Sequence, residues 1–162
     1  MLFLSLLGCS NLFGGHDGSY LLIARKQSDT CNPDASDIGQ EQQLLVSVYH
    51  TPDDLVVDVG GQLLTGSTSG KDFEVAMERG YVTSSSGCDG YNQNTKAVLT
   101  GTFGADLGFE GSLTSTDSTV LTECPDSSEE ICVTKFAVTA MKLDAERDRH
   151  PTGTISWGYF SY

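Results

Sequence analysis

Five cysteines, Cys9, Cys31, Cys88, Cys124 and Cys132, are the residues whose type and number first imply chemistry. Four thiols can close two disulfides, and the fifth then needs a task of its own. That arithmetic fits an exported chain, because disulfides persist in oxidising compartments. Cys124 and Cys132 stand eight residues apart around Pro125 and an acidic run, close enough to staple one turn. Their pairing would leave Cys31 to join Cys88 across two long polar loops. Four cysteines allow three pairings, and spacing alone leaves all three open. Zinc is a weaker reading, since no Cys-x-x-Cys spacing or companion histidine pair is present.

Other reactive groups do not converge in the sequence. His16, His50 and His150 fall in a leading tether, a strand end and a connector, and read as three unrelated surface histidines. There is no Gly-x-Ser-x-Gly elbow and no free thiol beside a base. Asp89, Asn92 and Asn94 are spaced as oxygen ligands for Ca²⁺ might be, but Gly90 is misplaced and the later bidentate Glu is missing. An Asx-rich turn is the better reading, and the acidic group Asp126, Glu129 and Glu130 is read the same way. The expectation is a non-enzyme with no catalytic residues, no metal and no cofactor.

Near the start, Leu6-Leu7-Gly8-Cys9 resembles the lipobox of bacterial lipoproteins. The resemblance implies that the Cys9 sulfur carries a diacylglycerol and that the chain is cut just before it. Residues 1–8 are then the remnant of a signal peptide, and residues 9–18 a lipidated cysteine and flexible tether. Residues 19–162 form a single domain. Lipidation of Cys9 also accounts for the odd thiol. No Lys or Arg precedes Arg25, and eight residues are short for a signal peptide, so the expected start lies upstream. Ser10 in place of Asp after the cysteine favours, by analogy with enteric bacteria, the outer membrane or cell surface. The implied partner is therefore a membrane, reached through an acyl anchor.

The elements that must position these residues read as strands. The chain has 162 residues, 18 glycines, 4 prolines and a formal net charge of -13. Such an acidic balance argues against nucleic acid, whose phosphates need clustered Lys and Arg. The apolar run at residues 1–8 is far below the roughly 20 residues of a spanning helix. Alternation predicts strands over 18–27, 44–49, 55–59, 71–79, 97–103, 109–114 and 131–141, with a closing strand at 154–162. The clearest is residues 71–79, where Phe73, Val75 and Met77 oppose Asp72, Glu74 and Glu78. Residues 28–43 and 83–95 read as polar loops.

Sequential hairpins of this number predict an all-β, small antiparallel up-and-down β-barrel, with a two-sheet β-sandwich as the alternative. The opening Gly18-Ser19-Tyr20 strand and late aromatic strand are similar to small lipocalin-like barrels, although Tyr20 stands where that family has Trp. Tyr20, Phe73, Met77, Phe109, Phe136 and Trp157 are the candidates to face the interior, as filling or as the lining of a ligand pocket. Two functions follow as expectations. One is a non-enzymatic, monomeric cell-envelope lipoprotein with a structural role or an envelope protein partner. The other is a carrier for a small apolar ligand.

Overall fold

A computed structural model describes residues 15–85, 88–121 and 129–143, and side chains are described for 15–82, 92–120 and 129–143. Eight strands run in chain order: β1 Gly18–Asp29, β2 Glu41–His50, β3 Leu55–Val59, β4 Gln62–Ser69, β5 Asp72–Ser85, β6 Cys88–Phe103, β7 Phe109–Leu121 and β8 Glu129–Lys142. Each pairs antiparallel with the next, and β8 returns to pair with β1 from Tyr20↔Lys142 to Asp29↔Thr134. The result is a closed up-and-down barrel and not a sandwich. Closure gives every strand two neighbours, which removes the exposed edges of an open sheet.

Local chemistry makes the turns between the strands. Between β2 and β3, Thr51 Oγ1 accepts the Asp54 N–H at 2.9 Å, and the Thr51 N–H donates to the Asp54 carbonyl at 2.8 Å. Between β3 and β4, Gly60 and Gly61 take φ of 62° and 90°, which residues with a Cβ adopt poorly. Asp58 Oδ1 accepts the Gly61 N–H there at 2.7 Å.

Strand alternation sorts residues inward and outward. Tyr20, Leu22, Ala24, Val46, Val57, Val75, Leu99 and Val138 are buried in one interior cluster. Arg25, Glu74, Glu78, Lys96, Glu110 and Lys135 are exposed on the outside. An apolar interior with a charged exterior is the reverse of a lipid-embedded barrel. Among the described residues, no helix is long and apolar enough to cross a membrane.

Aromatic rings fill one end of the barrel. Phe73 meets Phe103 at 4.8 Å and Phe109 edge-on at 5.2 Å, and Tyr20 meets Phe109 at 5.6 Å between centroids. Phe73 lies over Gly101, where a Cβ would come within 2.7 Å of its ring.

The strand assignment differs from the expectation in several parts: β7 runs on to Leu121, past the expected end at 114, and β1 and β2 reach into the expected loop at 28–43. Residues 62–69 form β4, although only Leu64 among them is buried. Residues 83–95 are mostly the ends of β5 and β6 and not a polar loop. Their ladder continues from Phe73↔Gly101 through Tyr81↔Gln93 to Ser85↔Cys88. These ends lie beyond the packed interior, so backbone pairing holds them without an apolar face. The Asx-rich turn expected at residues 88–94 is accordingly strand. The closing strand at 154–162 lies outside the described residues.

Candidate functional site

The inward positions change character along the barrel. At the end filled by aromatic rings, the chain enters through residues 15–17. The His16 ring stacks on Phe103 at 4.1 Å, and the Tyr20 hydroxyl donates to the His16 carbonyl at 2.5 Å. Burial pushes the Tyr20 phenol up to about 12, with the nearby Asp17 acting in the same direction. Burial, helped by the Lys142 ammonium, holds the His16 imidazole below its ordinary value. His50 Nδ1 meets Asp17 at 2.6 Å beside it. His16 and His50 therefore share this closed end and are not unrelated surface groups; His150 lies outside the described residues.

Toward the other end the rings give way to a cavity of about 80 Å³. Leu22, Leu44, Val59, Leu99 and Leu113 supply much of its apolar wall, together with Met77 and Phe136. Of the six interior candidates, Tyr20, Phe73 and Phe109 are packing, whereas Met77 and Phe136 line the cavity. Trp157 lies outside the described residues.

The cavity rim carries charge. Lys26 follows Tyr20, Leu22 and Ala24 on the inner face of β1 and is only 3% exposed. A buried ammonium is costly unless paired and hydrogen-bonded. Lys26 Nζ donates to Asp29 at 2.9 Å and to both oxygens of Asp37 at 3.0 and 3.1 Å. Burial opposes the Lys26 charge, but the bonds from both carboxylates outweigh it and hold the ammonium above its ordinary value. The bond from Lys26 holds Asp29 below its ordinary value, against burial and with help from the N–H groups of Asn32 and Cys31. Between β6 and β7, buried Thr95 donates its hydroxyl to Asp117 at 2.5 Å, and Asp117 also lines the cavity.

The segment between β1 and β2 brings Asp37 to this rim, and a disulfide fastens it. Cys31 is bonded to Cys132, 101 residues away, with the Cα atoms 5.2 Å apart. Beside the bridge, the Thr30 N–H donates to the Val133 carbonyl at 3.0 Å, and the Val133 N–H to Thr30 Oγ1 at 2.8 Å. This corrects the pairing of Cys31 with Cys88 and of Cys124 with Cys132. Barrel closure sets β8 beside β1, and the register Asp29↔Thr134 carries residue 31 to residue 132. Glu130 lies close to both sulfurs, but in a disulfide they are not thiolate ligands for a metal. Cys9 and Cys124 lie outside the described residues, and Cys88 is described only as the first residue of β6.

Lys26, Asp29, Asp37 and Asp117 were not among the expected site residues. The signal for Lys26 was present in the alternation of β1, which continues inward one step past Ala24. The carboxylates carry no such signal, because acidic residues are common throughout this chain.

No family model, curated protein or solved structure matches the chain.

Proposed function

We propose that the protein is a non-enzymatic cell-envelope lipoprotein, anchored through Cys9, whose barrel holds a small ligand in its cavity. The cavity carries this reading: a hollow of about 80 Å³ with an apolar wall and polar groups toward its rim offers room and contacts for a small guest. Flexible Met77 on its wall lets the hollow adapt to a guest. The chain enters the barrel at the closed end, so a tether from Cys9 leaves the mouth facing away from the bilayer. A second reading, in which the domain serves envelope partners through its outer surface, draws support from the aromatic packing that fills the closed end.

Two measurements test the proposal. Expressed from its own gene in a bacterial host, the protein should label with radioactive palmitate and partition with membranes. Labelling of Cys9→Ala at the parent level would contradict the anchor. The cavity should bind a neutral short-chain probe such as 1-hexanol saturably, whereas a domain that works only through its surface would not.

A further inference from the structure

The charges at the cavity rim do not balance. One ammonium, Lys26, lies among three carboxylates: Asp29, Asp37 and Asp117. The other nearby cation on β5, Arg79, has its guanidinium over the Tyr81 ring at 5.9 Å and does not line the cavity. We propose that the cavity takes an amphiphile with an amine head, its apolar body among Met77, Leu99, Leu113 and Phe136 and its ammonium at Asp117. The proposal rests on the cavity being a ligand site and adds the chemical class of the ligand.

An anionic head fits poorly. A carboxylate ligand would look for Lys26, the one cation lining the cavity among the described residues. That ammonium already donates to Asp29 and to both oxygens of Asp37. The newcomer would have to displace a carboxylate and add a third negative charge beside the two left uncompensated. Like charges brought together repel strongly where water is scarce. A cationic head instead offsets the excess. Asp117 receives the Thr95 hydroxyl on Oδ1, and a carboxylate has acceptor capacity beyond one such bond. A charged donor meeting it makes the stronger kind of hydrogen bond. The outward field works the same way, since a chain of net charge -13 gathers cations.

The experiment compares n-hexylamine as its ammonium, 1-hexanol and hexanoate by isothermal calorimetry at neutral pH and low salt. The three share one apolar body and differ in the head. Hexylamine should bind about tenfold tighter than 1-hexanol, as one charge-assisted hydrogen bond implies. Asp117→Asn keeps the shape and an oxygen acceptor for Thr95, and should abolish the preference for the amine over the alcohol. Equal binding of amine and alcohol overturns the amine proposal and leaves the cavity as a site. Tighter binding of hexanoate also overturns it, with Lys26 then taking the head. An amine preference that survives Asp117→Asn overturns the assignment of the head to Asp117. Failure of all three probes to bind overturns both the proposal and the cavity reading beneath it.

Discussion

Lys26 shows how much one side chain decides at the rim. Its stem continues the apolar inner face of β1, and its ammonium joins Asp29 at the end of that strand to Asp37 in the following segment. Removing the cation leaves two carboxylates facing each other. Lys26→Met should therefore cost about 3 kcal/mol at pH 7, the low end for breaking a buried pair, because Asp37 retains some contact with water. The pH dependence follows from the directions of the shifts. Asp29 lies below its ordinary 3.8 in the folded protein, so its contribution is present above that pH and is lost as pH falls through the lower folded value. Lys26 lies above its ordinary 10.5, so its contribution is present below that pH and is lost as pH rises through the higher folded value. Urea midpoints of parent and Lys26→Met should differ most between these limits and converge at acid pH. A gap of constant size from neutral to strongly acid solution would contradict the ion-pair account.

Among the elements, the contact between β8 and β1 is the one that closes the barrel. The Cys31–Cys132 bond ties this seam at the rim, across 101 residues of sequence. Cross-linking so long a loop restricts the unfolded chain, and Cys31→Ser should cost about 2–4 kcal/mol. The same variant frees the segment carrying Asp37, so hydrogen exchange at the N–H groups of Ile38 and Gly39 should quicken more than at the centre of β6. With Cys31 joined to Cys132 and Cys9 taken up by the proposed lipid anchor, a second disulfide would pair Cys88 with Cys124. The antiparallel β6–β7 ladder pairs Tyr91 with Leu121; in sequence Cys88 stands three residues before Tyr91 and Cys124 three after Leu121. Peptide mapping without reduction should recover 31–132 and 88–124 linkages; a 124–132 linkage would contradict this register.

These elements also mark what the sequence could reveal. Phe73, Val75 and Met77 alternate with charged residues, so β5 announced itself where one of its faces is dry. Tyr81 to Ser85 and Cys88 to Thr95 also pair, with a register shift between Thr83 and Ser85, but lack a continuous apolar face in sequence, so the same strands there read as loop. In β4, Leu63 is exposed beside buried Leu64, and one inward leucine makes no pattern. The seam joining Cys31 to Cys132 is a product of closure, and no local spacing records it. Met77 and Phe136 were legible as interior residues because their strands alternate. Asp37 and Asp117 reach the rim through a connecting segment and through register, which only the folded chain supplies.

At the scale of the whole molecule, the barrel has two unlike ends. The aromatic end is packed shut around His16 and Phe103, and it receives the chain from the side where Cys9 lies in sequence. The opposite end is hollow, apolar within and acidic at its rim. With the anchor proposed at Cys9, the described chain begins at the end of the barrel opposite the mouth. The account stands or falls on that hollow taking a guest. The direct measurement is a methyl NMR titration with 1-hexanol, following the Met77 methyl against those of Val46 and Val48, buried elsewhere in the interior cluster. The account predicts a saturable shift at Met77, shared by Leu99 and Leu113, with Val46 and Val48 nearly still. Shifts that never saturate, or that spread evenly over the interior, would contradict it.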